Sequence, residues 1–158
     1  RVDQGQGTQR ATMTLPEQNI REINAVDQPA SRPKTPYGIA GGADVVEAIV
    51  ARFYELMDTE SAYADLRAIH AEDLGPVQNG LTQFLKAWMG GPKDWFDQGK
   101  CVMSLHRAFP ISGAIGRQWS DAMQRAISDQ KEMNSDLAQA MSERLSQMAK
   151  AMVNQQAS

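Results

Sequence analysis

The 158 residues carry a net charge of -3, are 42% apolar but only 6% aromatic, and include nine Met. Acidic and basic residues are interspersed, so no basic patch suits nucleic acid, and no apolar run approaches the roughly 18 residues that cross a bilayer. The length suits one domain with a single core.

Residues 1–34 differ from the rest, being rich in Gln, Gly, Thr, Asn and Pro. They are expected to form a largely disordered N-terminal extension, with one short helix in the TLPEQNIREI stretch. Arg1 to Gly7 shows no apolar stretch of the signal-peptide kind. The domain is expected to occupy residues 35–158. Thr35-Pro36 offers a cap followed by proline at the first helical position, opening a very short helix that Gly41-Gly42 stops. A second helix is predicted from about Asp44 to Met57, with Val45, Val46, Ile49, Val50, Phe53, Leu56 and Met57 on one face. A third runs from about Asp73 to Met89, its stripe formed by Leu74, Val77, Leu81, Phe84, Leu85 and Trp88, and Gly90-Gly91-Pro92 ends it.

Residues 92–104 show no sustained period and read as a long loop, of a length that is often functional. A short apolar run holding His106 follows and closes at Pro110. Two further helices are predicted. The first spans about Ser112 to Ser128 (Ile115, Trp119, Met123 and Ile127 on its stripe) and the second about Ser135 to Asn154 (Leu137, Met141, Leu145, Met148 and Met152). With no strand-like alternation, the fold class is all-α.

Few residues point to chemistry. His70 and His106 are the two histidines, and neither belongs to a zinc-type cluster. There is no phosphate-binding glycine loop, GxSxG elbow or HExxH motif. Cys101 is alone, so no internal disulfide forms. That fits a reducing, cytoplasmic setting, and the expected role of Cys101 is a small buried hydrophobe. What remains is His106 on a short element, with Tyr54 and Trp119 on amphipathic helices and His70 between them. An imidazole facing an apolar cage that holds a hydroxyl and an indole N–H is what a ligand-binding haem needs. The same residues also suit a structural histidine and ordinary core packing.

In order along the chain, TPYGIAGG (Thr35–Gly42), RFYELM (Arg52–Met57), LRAIHAEDL (Leu66–Leu74), FLKAWMGGP (Phe84–Pro92), HRAFPI (His106–Ile111) and RQWSDAM (Arg117–Met123) resemble the motifs of the truncated haemoglobins, the second group in particular. The resemblance implies two antiparallel helix pairs sandwiching a haem b. It makes His106 the proximal iron ligand, and Tyr54 and Trp119 the donors to a bound ligand. His70 would sit at the joint beside them. Val77 would take the place of the classical distal histidine, with Leu81 one turn later. Phe53, Phe84, Phe109 and Ile111 would wall the cofactor, with Trp88, Trp95, Met103, Leu105, Arg107 and Met123 as further neighbours. Leu105 and Gly80 stand where this group often has basic residues, so Lys93, Lys100 and Arg107 are the candidates to pair with the propionates.

The implied function is reversible binding of dioxygen, carbon monoxide and nitric oxide by a monomer or homodimer without nucleic-acid or membrane partners. One alternative is an enzyme on the same site, a nitric-oxide dioxygenase or peroxidase served by a separate reductase. Another is a haem-free helical interaction module, for which the Met-rich last helix would supply an adaptable surface.

Overall fold

The computed structural model describes residues 35–155. The expected extension and its short TLPEQNIREI helix lie outside them. Eight α-helices are described: α1 Pro36–Ala40, α2 Ala43–Thr59, α3 Ala64–Ala68, α4 Gly75–Trp88, α5 Asp94–Asp97, α6 Val102–His106, α7 Gly113–Ser128 and α8 Ser135–Ala151. A single 3-10 turn, Ser61–Tyr63, precedes α3. Among the described residues there is no strand, and one isolated bridge joins Ser112 to Gln155.

The long helices form two packed pairs, α2 with α4 and α7 with α8, and α2 also packs on α7. The all-α, two-over-two reading therefore holds. The reason lies in the stripes. Val46, Ile49, Val50, Phe53, Leu56 and Met57 of α2 are buried, as are Phe84 and Leu85 of α4, Met123 and Ile127 of α7, and Met141 and Leu145 of α8. Each stripe recurs at three- and four-residue steps, so each helix has one face to bury and finds it against another. Local caps set the starts. Thr35 Oγ1 accepts from Gly38 N–H at 3.1 Å, Ser112 Oγ from Ile115 N–H at 3.2 Å and Asn134 Oδ1 from Leu137 N–H at 3.0 Å, each satisfying an otherwise orphaned helix donor.

The two glycine pairs act together. Gly41 has φ 120°, and a Cβ there would lie 2.6 Å from Val45 Cγ2, so the turn from α1 into α2 requires glycine. Gly91 lies so close to the Tyr37 ring that a Cβ would meet it at 2.7 Å. Tyr37 N–H donates to the Met89 carbonyl at 2.9 Å, which docks α1 against the end of α4. No helix among the described residues is long and apolar enough to cross a membrane.

Three expectations need correction. Residues 92–104 are not one loop, because they hold α5 and the start of α6, separated by Gly99 at φ 70°. Helices of four or five residues complete little more than one turn, so no 3.6-residue period can show in the sequence. The segment between α2 and α4 likewise contains the 3-10 turn and α3, which periodicity leaves unassigned. The last helix stops at Ala151, not Asn154, because the Asn154 amide N–H donates to the Ile111 carbonyl at 2.9 Å instead of continuing the ladder. Cys101 is exposed, not buried. It is the residue just before α6, where hydrogen bonds from Ser104 pull its thiol pKa below the usual value.

Candidate functional site

A cavity of about 450 Å³ is walled by α2, α4, α6, α7 and α8 and by the joint after α3. Its wall is largely apolar, with Leu81, Phe84, Ile111, Ile115 and Met148 among the contributors. That volume and character fit an organic ligand or cofactor. A second hollow of about 510 Å³ beside α2 and α4 is more open and polar, and its Lys86 ammonium is already paired with Glu47 at 2.9 Å.

His106 closes α6. Its Nδ1 lies 2.7 Å from the Val102 carbonyl oxygen one turn earlier. A carbonyl only accepts, so Nδ1 carries the proton and Nε2 is left with its lone pair free. That tautomer is the one a metal-ligating histidine adopts when its second nitrogen is anchored. The half-buried imidazole lines the cavity together with Val102, Leu105 and Phe109. These positions (102, 105, 106, 109) share one face, continued through the turn that ends α6. Met103 and Arg107 occupy the adjoining face and are not among the residues that line the cavity. The segment after His106 is pinned by Asn154. Its Oδ1 accepts from Ile111 N–H and its Nδ2 donates to the Phe109 carbonyl, both at 2.9 Å.

On the α2 and α7 walls lie Tyr54 and Trp119. Tyr54 is 6% exposed. Burial pushes its phenol far above the ordinary value, so the hydroxyl stays protonated and remains a donor. Both side chains line the cavity, so its wall contains a phenol hydroxyl and an indole N–H. A hydroxyl and an indole N–H in an apolar wall can serve a small ligand that carries partial negative charge.

His70 also lines the cavity and is half-buried. Its Nδ1 lies 2.8 Å from the Leu66 carbonyl, which again places the proton on Nδ1. Burial lowers its pKa, with the nearby Arg67 and His106 acting in the same direction and the Leu66 carbonyl opposing them. At neutral pH the ring is uncharged and its free Nε2 is an acceptor. The ring stands edge-on to Tyr54, with centroids 6.0 Å apart.

The structure brings Val77, Leu81, Phe84, Trp95, Leu105, Phe109 and Ile111 to the same cavity. It does not bring Phe53, Trp88 or Met123 there. Phe53 follows the helix about 100° round from Tyr54 and is fully buried behind the wall. Its ring contacts Tyr54 and Trp119 edge-on, at centroid distances of 4.9 and 5.3 Å. Met123 lies one turn beyond Trp119, in the core, and Trp88 one turn beyond Phe84, packed on the core's edge. Sequence reading missed Leu66, Ile69, Ile115, Met148 and Met152 as cavity residues. The helical stripes contained Ile115 and both methionines, but periodicity cannot separate a core face from a cavity face. Of the lysine and arginine side chains that were candidates for propionates, Lys100 lines the cavity, and no aspartate or glutamate does among the described residues.

The donor set fits an iron porphyrin. No cluster of three or more His, Cys, Asp or Glu that could hold a bare metal ion exists among the described residues. The wall instead offers the free Nε2 atoms of His106 and His70, an apolar enclosure and one cation, which suits an amphiphilic macrocycle that brings its own metal ligands.

Residues 35–154 match the family described as bacterial-like globin. Among solved structures, the chain is similar to a group II 2-on-2 haemoglobin from Agrobacterium tumefaciens (32% identity over 80% of this chain and 99% of the other, TM-score 0.76). It is similar to a cold-adapted truncated haemoglobin from Pseudoalteromonas haloplanktis TAC125 (29% identity, 77% and 99% covered, TM-score 0.73). It is also similar to a group II truncated haemoglobin from Bacillus anthracis (26% identity, 78% and 93% covered, TM-score 0.70).

Proposed function

This chain belongs to the bacterial-like globin family, whose cofactor is haem, and from that premise we propose that it binds dioxygen reversibly, with His106 as the axial ligand. The observation that carries this reading is the meeting of an anchored imidazole with the Tyr54 and Trp119 side chains in one apolar cavity. When bound, haem would be held by His106 and would supply an iron able to take up a diatomic molecule.

The chain's own residues do the rest. The Val102 carbonyl holds the His106 proton on Nδ1, so Nε2 would be the nitrogen that holds the iron. The Tyr54 hydroxyl and the Trp119 indole N–H supply hydrogen bonds to dioxygen, with carbon monoxide and nitric oxide as further ligands. His70, neutral and with its N–H already committed, contributes an acceptor and leaves donation to the other two. Val77 and Leu81 keep water out and offer no polar contact. Lys100, which lines the cavity, would be the cation that meets a propionate.

The test is the visible absorption spectrum of the purified protein, oxidised, reduced and with carbon monoxide. An intense Soret band that shifts with carbon monoxide is expected. A protein that stays without one after haemin is added would overturn the reading and leave a helical interaction module. Trp119→Phe is expected to release dioxygen about 3- to 10-fold faster, since a hydrogen bond contributes about 0.5–1.5 kcal/mol and 1.4 kcal/mol is tenfold. Stopped-flow displacement of dioxygen measures this, and an unaltered rate would reduce Trp119 to packing.

A further inference from the structure

Helix α3 has no side-chain cap of its own, yet one of its orphaned donors is satisfied from another helix. The Leu66 N–H donates to Gln118 Oε1 of α7 at 3.0 Å. The same amide's Nε2 donates to Asp65 Oδ2, also at 3.0 Å. One carboxamide thus accepts from one residue of α3 and donates to the residue before it. The Leu66 carbonyl, on the other side of the same residue, is the group that holds His70 Nδ1 at 2.8 Å. Leu66 itself is 1% exposed, and its side chain lines the cavity. Gln118 is the immediate neighbour of Trp119.

We propose that Gln118 is a positioning residue, a cross-helix cap that fixes Leu66 and, through the Leu66 carbonyl, the orientation and tautomer of His70 relative to Trp119. A free α3 could rotate or fray, because five residues are far too few for an independently stable helix. Its anchoring therefore comes from its neighbours: Arg67 of α3 pairs with Asp58 of α2 at 2.9 Å, and α7 supplies the rest. Two anchors lie along α7. Gln118 holds Asp65 and Leu66, and Asp121 and Arg125 hold the Tyr63 hydroxyl, which donates to the former and accepts from the latter at 3.1 Å. The Tyr63 anchor secures the start of the segment. Only the Gln118 anchor reaches the residue that carries His70. The importance of this geometry for ligand binding rests on the function proposed above, whereas the bridge itself is a matter of hydrogen bonding.

The experiment uses the full chain in its reduced, carbon monoxide-saturated form, which is diamagnetic, and follows the Leu66 amide and the His70 ring nitrogens by ¹⁵N NMR. Gln118→Ala is expected to speed Leu66 amide exchange by roughly tenfold, the fold-change of one lost hydrogen bond, and to release His70 from its single Nδ1–H tautomer. Gln118→Glu places a carboxylate beside Asp65 and is expected to do the same. Adding Asp65→Asn to Gln118→Glu restores an amide–carboxylate pair with the roles exchanged and is expected to recover both signals. Unchanged exchange in Gln118→Ala would overturn the bridge. Faster exchange with the His70 tautomer intact would overturn its coupling to His70. A chain that takes up no haemin would overturn the proposed function alone, because the Leu66 and His70 signals can then be read without it.

Discussion

His106→Ala is expected to lower the retention of haem by at least about 100-fold and to abolish the spectrum of an imidazole-ligated iron. The magnitude follows from the observation that even outer partners of a metal ligand change affinity by about 10- to 100-fold, so the ligand itself lies at or beyond the upper end. Loss of folding would not explain the result, because α6 has no buried residue and removal of a half-buried side chain from it leaves the core untouched. Free imidazole should enter the space left by the side chain and restore the spectrum. Haem transfer to an acceptor globin gives the rate of loss, and visible spectra with and without imidazole give the coordination. A variant that retains haem with unchanged axial coordination would overturn the assignment of His106. His70, the other histidine that lines the cavity, would then need the same test.

Phe53→Ala is expected to destabilise the fold by about 3–5 kcal/mol, the usual range when a fully buried phenylalanine is truncated and its cavity is not refilled. The site justifies the upper part of that range. Phe53 has no exposed surface and touches the rings of both Tyr54 and Trp119 edge-on. Such aromatic pairs add about 0.5–1.5 kcal/mol beyond area burial. Urea unfolding would report the change as a lower midpoint at constant slope. The two donors also lose their backing, so dioxygen release should quicken in the same variant although Phe53 never reaches the cavity. Phe53→Leu refills most of the volume and should recover much of the stability. A loss below about 1 kcal/mol in Phe53→Ala would show that the α2–α7 seam closes over the gap.

These two residues also mark what was legible in the primary structure. Phe53 and Tyr54 are adjacent, and the motif reading placed both against the cofactor. A helix sends neighbours about 100° apart, so only one of them can face a given cavity. Which one depends on the rotation of α2 against α7, and that rotation is set by packing. The same limit separated Leu105 and His106 from Met103 and Arg107 on α6, and Phe84 from Trp88 on α4.

The hydrophobic stripes, caps and glycine pairs by themselves determined the long helices and their all-α class, because those signals act over a few residues of chain. The ordered motifs pointed to His106, Tyr54 and Trp119. Only the tertiary structure decided which faces of those helices enclose a cavity, since a core stripe and a cavity stripe carry the same residues at the same spacing. It also decided that α3, α5 and α6 are helical at all, because helices of four or five residues lack the length to hold themselves and take their order from partners such as Gln118 and Asn154. The two histidines gained their defined tautomers in the same way. A carbonyl four residues back becomes a partner only once the backbone coils, so Nδ1 is engaged and Nε2 is freed by the fold.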